Sequence, residues 1–138
     1  VVRMNRQVRN MQSSATRMML QSAQEDHKDF VHHILSETAK DREAMLPTEV
    51  PDHHNCRLGN WYDGQGQATF GGLAAFRALE APHAQIHATA RQLLEAVHGG
   101  QRDQVTHLST SLSDQKDLII DRLKVLADAI EHNSGSAV

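Results

Sequence analysis

The side chains best suited to chemistry begin with two histidines four residues apart. His83 and His87 lie in the segment PHAQIH. Residues i and i+4 of an α-helix lie on the same face, so both imidazoles can reach one ion. Ile86 and Ala90 lie beside them in the sequence, and this apolar flank turns the shared face toward a hydrophobic core. The pair therefore predicts a metal-binding position inside a helical protein.

A cysteine and a third histidine complete a set of four potential ligands. Cys56 is the one cysteine of the chain, and His27 falls on an apolar helical face between Ala23 and Phe30. Three imidazoles and one thiolate form an N₃S set, which suits tetrahedral Zn²⁺. Because the chain contains ten histidines, such spacing also arises by chance. From the residues alone, a zinc site and separately hydrogen-bonded core histidines both remain open.

The other seven histidines carry less information. They are His32, His33, His53, His54, His98, His107 and His132. We interpret the first four as surface groups and the last three as structural or incidental. His53 is three residues from Cys56 and could compete with the predicted ligands. Acidic residues that could hold the ligating imidazoles in place are Asp26, Asp29 and Asp52.

A long first helix is predicted to position His27. Residues 1–45 contain neither Pro nor Gly, which permits a helix over this whole range. A first apolar stripe, with spacings of three and four, comprises Val1, Met4, Val8, Met11, Ala15 and Met18. It predicts either a coiled coil or simply further packing within a bundle. The register then shifts, and a second stripe comprises Leu20, Ala23, His27, Phe30 and Ile34.

Helix-ending residues divide the rest of the chain. Pro47 and Pro51 mark a break, after which Asp52 is predicted to cap a short helix over residues 53–62 that contains Cys56. We expect this helix to end in the glycine-rich residues 63–66, and its aromatic residues Trp61 and Tyr62 to pack it onto the bundle.

Two further helices follow. Pro82 suits the first turn of a helix that stops at Gly99 and Gly100. The last helix is predicted over about residues 102–131. These elements predict an all-α four-helix bundle with an extra short helix that carries the Cys ligand. We divide the chain into an N-terminal coiled-coil or linker helix (1–19), a zinc-binding bundle (20–132) and a disordered tail (133–138).

Composition narrows the functional classes. Aromatic residues make up only 4% of the chain, which disfavours an all-β fold, and a net charge of −3 disfavours nucleic-acid binding. A single cysteine excludes an intrachain disulfide and fits the cytoplasm. We find no membrane-spanning or signal-peptide pattern. Because the chain begins with Val, we expect it to be part of a longer protein.

Three motifs together resemble the chemoreceptor zinc-binding domain family. They are HKDF, with His27 and Phe30; CRLGNWY, from Cys56 to Tyr62; and the pair His83 and His87. They occur in the family's order and at similar separations over roughly residues 20–130. Phe30 stands where the family often has Trp.

The resemblance implies a cytoplasmic four-helix bundle, often a homodimer, that binds one zinc ion through His27, Cys56, His83 and His87. Family members regulate attached modules, chiefly those of bacterial chemoreceptors and diguanylate cyclases. Their inputs are zinc itself and oxidants such as hypochlorous acid, which would act at Cys56. We therefore expect a chemoreceptor-type sensor domain attached to an upstream signalling module. A purely structural zinc in a dimerisation module, or the regulatory domain of a diguanylate cyclase, is the alternative.

An enzymatic function is disfavoured by the same residues. A hydrolytic zinc site keeps one coordination position open, which Cys56 would fill. PHAQIH also lacks the Glu that acts as general base in the HExxH motif. We therefore predict a non-enzymatic protein.

Overall fold

Helices make up most of the described chain, which comprises the backbone of residues 2–136 and the side chains of residues 14–132. In the computed structural model the elements are α1 (Val2–Glu37), a 3₁₀ turn (Pro47–Glu49), α2 (Arg57–Trp61), a π-helical turn (Tyr62–Gly66), α3 (Gln67–Phe70), α4 (Ala74–Arg77), α5 (Glu80–His98) and α6 (Arg102–Ser136). Residues 2–136 contain no β-strand, so the predicted all-α class is confirmed. No helix within the described range is both long and apolar enough to span a bilayer.

Three long helices and one segmented helical layer form the bundle. Helix α6 packs against both α1 and α5. Arg17, near the middle of α1, contacts Glu131 toward the end of α6, and Arg102 at the start of α6 contacts Thr38 just after α1, so the two helices are antiparallel. The fourth layer runs from α2 through α4, with α2 against α1 and α4 against α6. The short helix expected in addition to the four long ones is part of this layer.

The predicted apolar stripes form the core. The side chains that are completely buried include Leu20, Ala23, Ile34, Ile86, Leu93, Leu94, Leu112, Ile119, Leu123 and Leu126. Their spacing of three and four residues aligns one face of each long helix with the interior. The core therefore surrounds the face of α1 that carries His27.

Helix α1 ends at Glu37, earlier than the absence of Pro and Gly before Met45 suggested. The Glu37 carboxylate accepts a hydrogen bond from the Met45 backbone N–H at 2.6 Å and another from Lys40 Nζ. Glu37 is only 4% exposed. The two hydrogen bonds to its carboxylate hold the residues that follow it in a tight turn. A tertiary hydrogen bond thus ends the helix where no helix-breaking residue does.

The region around α2 also differs from the prediction. Asp52 does not cap a helix; its carboxylate accepts hydrogen bonds from the His54 N–H and the Asn55 side chain, which forms a turn. Residues 63–66 do not end the helix either, because the π-helical turn carries it on to Phe70. A Cβ at Gly66 would lie within about 3 Å of Trp61 and Phe76, so glycine permits their close approach.

Trp61 and Tyr62 pack as predicted, and both contact Phe76. The Tyr62 ring stacks on Phe76 with centroids 4.0 Å apart, and the Tyr62 hydroxyl donates to the Phe76 carbonyl at 2.9 Å. The Trp61 ring lies 5.8 Å from Phe76. These contacts join α2 to α4.

The ends of α5 agree with the sequence signals. Pro82 lies in the first turn of α5, and the helix ends at Gly99. Gly100 follows with φ of +67°, a left-handed conformation that glycine adopts without strain. This short connection returns the chain as α6, antiparallel to α5.

The two ends of the chain are described only in part. The backbone of α6 is helical through Ser136, whereas we predicted an end near residue 131 and a disordered tail at 133–138; a lone Gly135 weakens a helix without ending it. Residues 137 and 138 lie outside the described range. So do the side chains of Val1, Met4, Val8 and Met11, while Ala15 and Met18 are exposed. The linker role of residues 1–19 stays a prediction.

Candidate metal centre

Four side chains from three parts of the chain meet in the interior. The ligand atoms of His27, Cys56, His83 and His87 all lie within 4.8 Å of one another. His27 comes from α1, Cys56 from the loop before α2, and the other two from adjacent turns of α5. The three histidines are at most 4% exposed, and Cys56 is half-buried. The structure thus brings together all four residues that the sequence predicts as ligands.

Backbone carbonyls fix two of the imidazoles. His27 Nδ1 lies 2.8 Å from the Ala23 carbonyl, and His87 Nδ1 lies 2.9 Å from the Pro51 carbonyl. Since a carbonyl oxygen only accepts, both Nδ1 atoms carry the proton and both Nε2 atoms keep a lone pair. The partners are therefore carbonyl groups, where the sequence suggested Asp26, Asp29 or Asp52.

The Nε2 atom of His87 is the most informative atom of the site. It is buried and has no hydrogen-bond partner within the described part of the chain. Buried nitrogen atoms with a lone pair are almost always satisfied by a donor or a cation. A metal ion bound by the other three ligands would satisfy it.

Cys56 and His83 form the close edge of the cluster. Cys56 Sγ lies 3.2 Å from His83 Nε2. In tetrahedral zinc, bonds of about 2.3 Å to sulfur and about 2.1 Å to nitrogen place neighbouring ligand atoms about 3.5 Å apart. The separation of these two atoms is therefore close to that expected around Zn²⁺, and the N₃S set suits the ion chemically.

Burial keeps the imidazoles neutral. Burial, together with the neighbouring His27 and His87, lowers the pKa of His83 to about 2. Burial also lowers the pKa of His87 to about 4, and it lowers the pKa of His27. Burial raises the pKa of the Cys56 thiol. A metal ion would therefore meet three free lone pairs and displace one proton, from sulfur.

Cys56 is the N-cap residue that precedes α2. We predicted it inside a helix, so this part of the prediction was wrong. The Cys56 Sγ accepts a hydrogen bond from the Gly59 N–H at 3.4 Å. A Cβ at Gly59 would collide with the His53 backbone carbonyl, so glycine lets the loop fold tightly over α2. The spacing of Cys56 and Gly59 in CRLG is thus a structural requirement for the position of the thiol.

A second group of side chains lies beside the first. His53, His54 and Glu80 have ligand atoms within 4.8 Å of one another. Asp63 accepts from His54 at 2.8 Å and raises the His54 pKa. His53 was the predicted competitor for the four-residue site, but it faces Glu80. We did not predict a role for Glu80, although its position three residues before His83 places it one turn away on the same helix.

The remaining histidines are structural or exposed. The ring of His98 hydrogen-bonds through Nε2 to the backbone near Ala44 and Met45, which ties the end of α5 to the turn after α1. Of the histidines outside the two clusters, His32, His33, His107 and His132 are exposed. This agrees with their interpretation from the sequence.

Comparison with known proteins identifies the family. Residues 27–94 match the chemoreceptor zinc-binding domain family, and this range contains all four clustered side chains. No curated protein and no solved structure gives a significant match to the chain. This region of the chain belongs to the chemoreceptor zinc-binding domain family, as the motifs predicted.

Replacement of Gly59 by Ala should displace the thiol. Because the new methyl group would collide with backbone rather than with a flexible side chain, we expect a decrease of at least about 2 kcal/mol in the free energy of unfolding. We also expect weaker zinc binding, measured by competition with a chromophoric chelator. Gly64→Ala is the matched control, since a Cβ there meets nothing within 4 Å. Equal zinc affinity in the two variants would contradict the role of Gly59.

The stability of the metal-free protein should decrease on acidification. The buried imidazoles have pKa values below those in the unfolded chain, so between about pH 6.5 and the folded pKa the unfolded state binds more protons. The free energy of unfolding is thus greatest above pH 6.5. It should fall by about 1.4 kcal/mol for each of His83 and His87 between pH 7.5 and 5.5. Urea unfolding in a chelating buffer measures this difference.

Two variants test whether the buried imidazoles cause this pH dependence of the free energy of unfolding. His83→Gln should remove one imidazole's share of the pH dependence, whereas His107→Ala, at an exposed position, should retain all of it. The His54–Asp63 pair has the opposite sign, but solvent screens it. A pH dependence that is identical in His83→Gln and the unmodified protein would show that the buried imidazoles titrate normally.

Proposed function

We propose that this chain is a cytoplasmic sensor domain of a bacterial chemoreceptor-type signalling protein, and that it binds one zinc ion through His27, Cys56, His83 and His87. The observation that carries the proposal is the set of four ligand atoms, which includes the Nε2 of His87 that has no partner among the described residues. Such an atom, opposite a thiol and two further neutral imidazoles, favours a cation. Membership of residues 27–94 in a zinc-binding family supports the same ion.

The arrangement favours regulation over catalysis. Catalytic zinc sites have three protein ligands and an open position for water, whereas structural and regulatory sites are closed. Here four protein ligands are available, and three are almost completely buried. The family itself is a regulatory one. We therefore propose a non-enzymatic function.

The origin of the ligands suggests how the site acts on the fold. His83 and His87 belong to α5, His27 belongs to α1, and Cys56 belongs to the loop that leads into the fourth layer. Bound zinc would hold the thiol of Cys56 as a thiolate and cross-link these three segments. Without this link, the loop is held to α5 by hydrogen bonds such as that between Pro51 and His87. Occupancy would thus control how firmly the fourth layer is attached to α1 and α5.

We propose Cys56 as the residue that reacts with oxidants. Cys56 is half-buried whereas the three histidines are almost completely buried, so it is the ligand that a small oxidant reaches most readily. With hypochlorous acid, the thiolate sulfur forms a bond to oxygen and chloride leaves, so RS⁻ and HOCl give RSOH and Cl⁻. Sulfur loses two electrons and chlorine gains them. Because the sulfenic acid is a poorer ligand, the reaction would lower zinc affinity.

A zinc-stabilised dimerisation module is the second candidate. It is favoured by Ala15 and Met18, which are exposed on α1, with Met18 at 69% exposure. Pairing of α1 with that of a second copy would cover this surface. A homodimer, an upstream signalling module, and attachment to a diguanylate cyclase in place of a chemoreceptor all remain proposals that use the same zinc site.

Zinc analysis tests the four ligands. In the presence of a competing chelator, the purified chain should retain one equivalent of zinc. Cys56→Ala and His87→Ala should weaken binding at least about 100-fold, since loss of a direct ligand exceeds the effect of losing its outer hydrogen-bond partners. His107→Ala is the control and should retain full binding. Tight stoichiometric zinc in both ligand variants would refute the assignment.

The oxidant response distinguishes a sensor from a structural module. One equivalent of hypochlorous acid should release zinc from the wild-type chain, which a chromophoric zinc indicator records. The release should accompany formation of a sulfenic acid at Cys56, which mass spectrometry detects after trapping with dimedone. His32→Ala is a control and should respond like the wild type. Zinc that stays bound while Cys56 is unmodified would favour the structural module.

A further inference from the structure

The second cluster contains ligand types that bind metal ions. Its members are His53 and His54, from the loop before Cys56, and Glu80, from the first turn of α5. Two imidazoles and one carboxylate form the N₂O set found at many zinc sites. None of the three belongs to the four-residue cluster, so any ion here would be a second one.

The hydrogen bonds of the cluster suit a metal ion as well as a proton. His53 Nε2 lies 2.7 Å from Glu80 Oε1, and a cation bound by both atoms would replace the proton that they share, with a small increase in their separation. The rings of His53 and His54 are 4.0 Å apart. Asp63 Oδ2 lies 2.8 Å from His54 Nδ1 and accepts a hydrogen bond from it, so a neutral His54 with its proton on Nδ1 has the Nε2 lone pair available. A carboxylate that orients an imidazole in this way is common beside zinc ligands.

The cluster adjoins the four-residue site. The ring of His53 meets the ring of His83 edge-on, with centroids 5.5 Å apart. The backbone carbonyl of His53 also lies 3.8 Å from Cys56 Sγ. The two clusters therefore share an edge formed by the same loop, and the second one lies on the outer side, where His54 and Glu80 are about half exposed.

We propose that His53, His54 and Glu80 form a second, outer zinc site. Three protein ligands leave at least one coordination position to water, and the exposed position offers less exclusion of solvent than the inner site. The outer site is therefore the weaker of the two and fills at higher free zinc concentration. Its ligands do not include those of the proposed function, so either assignment can fail without the other.

Equilibrium dialysis of the full chain against excess Zn²⁺ tests this proposal. We expect two equivalents in the wild type and one in the double variant His54→Ala/Glu80→Gln. The matched control His107→Ala/Glu95→Gln replaces exposed residues of the same types and should bind two. Far-ultraviolet circular dichroism of the double variant and of the two single variants establishes that their helicity is retained. One equivalent in the wild type would mean that His53 and Glu80 form only an ion pair, and would overturn the proposal.

Cobalt as a probe distinguishes the two sites. Co²⁺ bound by Cys56 gives a near-ultraviolet thiolate charge-transfer band, which an N₂O site lacks. Loss of the outer ligands should remove one equivalent and leave this band intact, and Cys56→Ala should remove the band and leave one equivalent. A second equivalent that persists in the double variant would overturn the outer site. Persistence of the band in Cys56→Ala would instead contradict the inner site.

Discussion

The burial of three neutral imidazoles beside one thiol is the constraint on which the structure depends. A protonated histidine in this core would meet two others and little water, so the fold is compatible only with free lone pairs. Carbonyl groups of Ala23 and Pro51 orient two of the rings. The same burial that disfavours a proton is compatible with a metal ion. The bonds from four ligands to a divalent cation offset the free energy that is lost when the ion leaves water.

The elements around this cluster share the task of holding it. The close antiparallel pairing of α5 and α6, set by the turn at Gly100, gives α5 a rigid support. The fourth layer is short and broken, yet the contacts of Trp61 and Tyr62 with Phe76 keep it together. The thiol is thus carried by the least regular part of the bundle and the imidazoles by the most regular parts. A site of this kind can lose one ligand while the other three keep their positions.

Sequence periodicity was sufficient for the features that depend on local physics. The buried face of α1, the start of α5 near Pro82 and its end at Gly99 follow from helical spacing and backbone preferences. The predictions that failed depend on contacts that reach beyond a single helix. The end of α1 depends on the hydrogen bond from Met45 to Glu37, which no pattern within the helix reveals. The pairing of His53 with Glu80 joins residues 27 positions apart, so the second cluster became visible only in three dimensions.

Helix α1 is unbroken from residue 2 to residue 37, and His27 lies 25 residues from its beginning. At 1.5 Å per residue, about 38 Å of continuous helix separates the metal cluster from that end. A helix of this length acts as a rod, so a small tilt at His27 becomes a displacement several times larger at the far end. Any change at the cluster that tilts α1 would be transmitted along the same helix that supplies a ligand.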